Sequence, residues 1–215
     1  WRVRFSPPTA GAWTYVTSCN DPTDAGLHGL KGRFTAVEYT GSNPLYRHGI
    51  LRPSKNNRFL EHADGTPFYW LGDTHWSGFS RAERFNTTNN GTGSMFKEMV
   101  NARVQQGYSV WKAETFAVNA AESWNAPIND GGPAWYDDAP GLTHLNPRFW
   151  ADIDRRVAYV ASQGMVISLA YAGIGRGMPD ATKEPAMLDL ARYAVARQAF
   201  PFGLYPAICH AERHY

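Results

Sequence analysis

FYWLGDTHW, residues 68–76, opens as a buried β-strand and then breaks its own pattern. Where another apolar residue is due, the sequence supplies Asp73, His75 and Trp76. Polar and aromatic residues at the end of an apolar strand suggest that the strand end is used, and the use depends on the sheet the strand joins.

The downstream segments define that sheet. Ser94 caps a predicted helix with Phe96, Val100 and Val104 on one face and a stop at Gly107, followed by the strand YSVWKAETF, residues 108–116. Asn146-Pro147 starts a second helix with an apolar stripe of Trp150, Ile153, Val157 and Val160, which ends at Gly164 and leads directly into the strand MVISLAYAG, residues 165–173. A third helix is predicted over residues 185–198. Strands alternating with helices imply an α/β fold of parallel strands joined by right-handed crossovers, with ligands at the C-terminal ends of the strands. Asp73, His75 and Trp76 are then expected on that rim. The second strand adds Lys112 and Glu114, and the third adds Tyr171.

Upstream, RFLEHADGTPF (58–68) predicts a hairpin turning at Asp64-Gly65. WRVRFSPPTAGAWTYVTS and GRFTAVEY alternate apolar and polar residues as antiparallel strands do. Three strands are too few to close a sandwich of about seven, so residues 1–43 read as the C-terminal part of an incomplete Ig-like β-sandwich. The second unit covers residues 44–215.

The 215 residues are 43% hydrophobic, which supports a packed core. Lys plus Arg exceed Asp plus Glu by 2, with no clustering, so neither nucleic acid nor a membrane is expected as a partner. Cys19 and Cys209 make neither a disulfide framework nor a zinc module. Asp73 and His75 have the spacing of a metal-binding pair, but no second histidine cluster accompanies them, so no metal and no cofactor are expected. Asn86-Thr87-Thr88 and Asn90-Gly91-Thr92 satisfy the glycosylation pattern and point to a secreted protein. Residue 1 already belongs to a strand-like pattern, so no signal peptide is expected in this stretch, which reads as starting inside a longer chain.

Three segments carry a resemblance. HGILRPSKNNRFLEHADGTPFYWLGDTHW, then NPRFWADIDRRVAYVASQGMVISLAYAG, then LDLARYAVAR, resemble in that order the barrel domain of apiosidase-like glycoside hydrolases. The resemblance implies a (β/α)₈ TIM-type barrel, here about its first three to four βα units, and hydrolysis of a glycosidic bond in plant or microbial polysaccharide. It implies a catalytic pair at the ends of the fourth and seventh strands. After Arg197, residues 198–215 (QAFPFGLYPAICHAERHY) depart from the pattern, and Glu212 lies roughly where the fourth-strand acid belongs. With no counterpart of the seventh-strand carboxylate, this stretch is expected to be truncated and inactive. A non-catalytic carbohydrate-binding or adhesion module and an inactive gene remnant are the alternatives.

Within that frame Asp73 and Glu114 are expected to bind sugar hydroxyls or tune a neighbour, with helix capping as the structural alternative for Asp73. Lys112 and Glu114 share a strand face, so a buried ion pair is the alternative for them. Trp76 and Tyr171 at strand ends, and Trp124, Trp135 and Tyr136 in the Asn- and Gly-rich segment 119–141, are the candidate stacking platforms for sugar rings, with plain core packing as the competing role.

Overall fold

A computed structural model of the chain describes residues 7, 9–87, 93–115, 128–136, 145–170 and 192–197, together with the backbone of 205–206. The first elements, β1 (Gly11–Val16) and β2 (Lys31–Ala36), form a two-stranded antiparallel ribbon with Trp13 opposite Phe34. The expected strand at the start of the chain lies outside the described residues. Among the described residues of 1–43, this two-stranded ribbon is the sheet structure present, short of a sandwich.

Asn43 caps the short helix α1 (Pro44–Arg47), accepting the Leu45 amide at 3.0 Å, and its own amide donates to the Ala161 carbonyl at 2.7 Å. Then β3 (Leu51–Pro53), β4 (Leu60–His62) and β5 (Pro67–Phe68) make a three-stranded antiparallel sheet. The turn between β4 and β5 falls at Asp64-Gly65 as expected, with Gly65 at φ +88° and Asp64 accepting the Thr66 amide at 2.9 Å. The first strand of this sheet was not evident from sequence.

The opening strand needs correction. Phe68 belongs to the hairpin sheet, Tyr69 and Trp70 are 78% and 42% exposed, and the parallel strand β6 begins only at Gly72, running to His75. The break has a local cause: the Ser109 hydroxyl donates to the Tyr69 carbonyl at 2.5 Å and accepts the Leu71 amide at 3.0 Å. One side chain there occupies groups that a continuous ladder would use.

The alternation of helices with parallel strands matches expectation. Helix α2 (Met95–Gln105) is capped by Ser94, β7 spans Val110–Glu114, α3 (Pro147–Ser162) is capped by Asn146, and β10 spans Val166–Ala170. Both helices end before a glycine in the left-handed region, Gly107 and Gly164. A hairpin of β8 (Ile128–Asn129) and β9 (Gly132–Pro133) precedes α3, residues 192–197 are helical, and β11 (Tyr205–Pro206) follows. The four longer-range strands form one parallel sheet in the order β11-β10-β7-β6.

One face of that sheet is covered by helices. Trp111, Ala113, Ile167 and Leu169 pack against Phe96 and Val100 of α2 and against the predicted stripe of α3. At the N-terminal end of the opposite face, Val110 and Val166 pack against Leu51, with Phe68 and Leu45 alongside. The hairpin sheet therefore closes the bottom of that face.

Arg156 of α3 lies inside this packing with no exposed surface. Its guanidinium donates to Asp152 at 2.7 Å, to Asp130 at 3.1 Å, and to the carbonyls of Gly78 (3.1 Å) and Glu83. Its Cζ lies 5.0 Å from the Phe96 ring centre. A guanidinium can be buried here because its donors and its charge are both matched. Replacing Arg156 by Met leaves Asp152, 2% exposed at its side chain, with Arg155 as its remaining cationic partner, and takes the donor away from the Gly78 and Glu83 carbonyls. Urea denaturation should show a loss of about 2–3 kcal/mol for Arg156→Met.

Candidate functional site

Register divides the expected site residues between two faces. In the parallel ladder, Asp73 is level with Trp111, Thr74 with Lys112, and His75 with Ala113, while Ser168 is level with Lys112 and Ala170 with Glu114. Side chains alternate along a strand and share a face across a parallel register. Asp73 and His75 therefore lie on the helix-covered face, and Thr74, Lys112, Glu114 and Ser168 lie on the other.

The contacts agree. Asp73 accepts from Arg103 Nε, in the last turn of α2, at 2.5 Å, near the start of β6 rather than at its C-terminal rim. It ties a strand to the helix that follows, and it lies three residues, about 10 Å, below the level of Glu114. His75 is 5% exposed, stacks on Phe96 with ring centres 6.0 Å apart, and takes the Trp111 indole N–H on Nδ1 at 3.1 Å. An acceptor Nδ1 assigns the ring hydrogen to Nε2, which faces Glu83 at 3.6 Å. The His75 contact holds the Glu83 carboxyl below the usual range, against the opposing effect of burial. The expected cluster of Asp73 and His75 with Lys112 and Glu114 is not assembled, because alternation sends the two pairs to opposite sides.

The opposite face changes character along its length. Val110 and Val166 at the bottom are 1% and 2% exposed. Above them Thr74, Lys112 and Ser168 form a polar row, and Glu114 stands at the end of β7, 5% exposed. Burial pushes the Glu114 carboxyl up, and the Lys112 charge partly offsets this. Such a group keeps its proton to higher pH than a solvated carboxylate and can donate a hydrogen bond when it does so. Thr74 and Ser168 were not anticipated, although their positions level with Lys112 follow from alternation once the strands are aligned.

At the rim, Trp76 follows β6 immediately and is 56% exposed. Trp135 requires correction: it is 5% exposed and part of the main core, because the β8–β9 hairpin packs on α3 and carries it inward. Its neighbour Tyr136 is 68% exposed, with its hydroxyl donating to Asn146 at 3.2 Å. Trp124, Tyr171 and Glu212 lie outside the described residues. Among the described residues, no group of three or more His, Cys, Asp or Glu is arranged to hold a metal ion. Sequence reasoning also missed Arg156: it stands three residues after Ile153 and four before Val160, on the apolar side of α3, but its charge gives no sign of burial and its partners apart from Asp152 lie 26 to 78 positions away.

Comparison with known proteins adds the lineage. A family profile described as Apiosidase-like, catalytic domain, matches residues 54–196. Among solved structures, a candidate glycoside hydrolase from Bacteroides vulgatus ATCC 8482 aligns with a TM-score of 0.67 at 20% identity, covering 96% of this chain and 39% of its own. A glycoside hydrolase family 5 protein from the same strain gives a TM-score of 0.42 at 21% identity, over 58% of this chain and 25% of its own. No curated protein matches. The chain thus spans well under half the length of the first of these structures.

The raised Glu114 carboxyl has a consequence for stability. The folded state holds this proton more tightly than the unfolded chain does, so stability falls as pH rises from the ordinary carboxylate range through the raised value. Glu114→Gln removes that loss. The variant should be more stable than the parent at pH 7 in urea titrations, with the gain vanishing as pH falls into the ordinary carboxylate range.

Proposed function

The chain belongs to the apiosidase-like catalytic domain family, and on that premise we propose that its parallel sheet is an arc of a (β/α)₈ barrel that holds a plant or microbial polysaccharide for glycosidic hydrolysis. In such a barrel the helices lie outside, so the face bearing Thr74, Lys112, Glu114 and Ser168 is the interior, and the C-terminal strand ends form the substrate side. The observation that carries the reading is the gradient on this face, from Val110 and Val166 under the hairpin sheet to Lys112 and the buried Glu114 at the other end. A packed floor below and a few hydrogen-bonding groups above are what a sugar site needs. Lys112 donates to sugar hydroxyls, Glu114 donates or accepts according to its proton, and Trp76 offers an apolar ring face beside them.

Both hydrolytic mechanisms use two carboxyl groups across the scissile bond, about 5–5.5 Å apart for retention and about 6.5–9.5 Å for inversion. Among the residues of β6, β7 and β10, Glu114 is the one carboxylate on the interior face. In this reading the arc binds and orients the sugar, and the hydrolytic pair requires groups from outside these strands. The same single carboxylate favours the second reading, carbohydrate binding without cleavage. A polymeric substrate lies outside cells, so secretion is part of the proposal.

The test is calorimetric titration with neutral and acidic plant cell-wall oligosaccharides, alongside measurement of newly released reducing ends. Binding is expected to weaken about tenfold or more in Trp76→Ala and in Glu114→Gln, a difference of about 1.4 kcal/mol each. Release of reducing ends separates hydrolysis from binding alone. Failure of every oligosaccharide to bind, or binding indifferent to both substitutions, would overturn the site.

A further inference from the structure

Trp76 is the exposed member of a turn whose other residues are held. Gly78 donates its amide to the His75 carbonyl at 3.2 Å and lies so close to Trp111 that a Cβ built on it falls 2.6 Å from the indole ring. Phe79 is 2% exposed and meets Trp111 edge to face, with ring centres 5.3 Å apart. The Gly78 carbonyl accepts from Arg156 at 3.1 Å. Further along, the Glu83 carbonyl accepts from the same guanidinium, and the Phe85 amide donates at 2.9 Å to Asp130, which Arg156 also contacts. A single buried cation thus grips the segment after β6 at its start and at its middle, and shares with its end the carboxylate that receives Phe85.

We infer that Arg156, together with Asp130, is a positioning residue for ligand binding: it fixes the 76–85 segment so that the Trp76 indole is presented at the strand ends in one orientation before any ligand arrives. An aromatic platform on an anchored turn loses little freedom when a ring stacks on it, whereas the same indole on a loose loop must be ordered at the moment of binding. Arg156 touches no ligand in this arrangement, since it is wholly buried on the helix side of the sheet. Its effect passes through the carbonyls of Gly78 and Glu83. The consequence for affinity rests on the glycan reading above, but the placement of Trp76 does not.

The experiment separates the two. The protein is labelled with 5-fluorotryptophan, the Trp76 resonance is assigned with Trp76→Phe, and spectra are compared for the parent, Asp130→Asn and Arg156→Lys. Asp130 is 13% exposed at its side chain, so its amide variant keeps the fold in reserve if the arginine variant does not fold. In Asp130→Asn the Trp76 line should shift or broaden while the Trp150 line stays in place. Titration with xylohexaose, arabinohexaose and hexagalacturonate should show about tenfold weaker binding of the best of these to Asp130→Asn than to the parent. That penalty should disappear in a Trp76→Ala background.

An unchanged Trp76 line in both variants would overturn the inference, and so would a binding penalty that persists in full without Trp76. Should Trp76→Ala leave binding untouched, the indole is no platform and the consequence for affinity fails, and the fluorine line still decides whether Arg156 places the indole.

Discussion

Everything assigned to this chain depends on the two-residue alternation of a parallel strand with one face sealed by helices. Once α2 and α3 cover Trp111, Ala113, Ile167 and Leu169, the side of every neighbouring residue is settled. Asp73 and His75 must then serve the packing, one as an anchor for Arg103 and the other as an acceptor for an indole N–H. Lys112 and Glu114 must face away from it. The sheet leaves no intermediate arrangement, since moving a residue across would shift the whole register and expose the aromatic layer.

The second constraint is the charge buried under that layer. Arg156 and Asp152 are 0% and 4% exposed, so their attraction is tied to a desolvation cost that only complete pairing offsets. The carbonyls of Gly78 and Glu83 and the carboxylate of Asp130 complete it. Specificity of arrangement is what such a cluster supplies best: a hydrophobic residue of similar size would accept many positions of the 76–85 segment, whereas the guanidinium fork accepts few. The Arg155 guanidinium, stacked 4.3 Å from the Phe85 ring centre, extends the same cluster toward the surface.

Much of the fold was legible because its signals are local. Ser94 and Asn146 as caps, Gly107 and Gly164 as stops, and the stripe of α3 each need only a few consecutive residues to be read. The boundary at Gly72 was not, since the residue that sets it, Ser109, is 38 positions from Leu71. The site was half legible for a related reason. Polar residues after an apolar run point toward a strand end, but the face and level of each depend on where the strand truly begins, and FYWL suggested a start several residues too early. Trp135 shows the converse: an aromatic in a polar, glycine-rich segment reads as a loop residue until a hairpin folds it onto a helix.

The Ser109 hydroxyl described at the start of β6 also has a mechanical meaning. Between β5 and β6 the chain passes from an antiparallel to a parallel sheet, and at that junction Tyr69 and Leu71 are joined to Ser109 by a side chain as well as by the Ser109 and Val110 amides on the Leu71 carbonyl. Among the described residues the two sheets share no ladder of their own. Such a seam is a natural border between cooperative units, where one part of a protein can open while the other stays shut. Opening at that seam would uncover Val110 and Val166 from below while the parallel ladder kept its own hydrogen bonds.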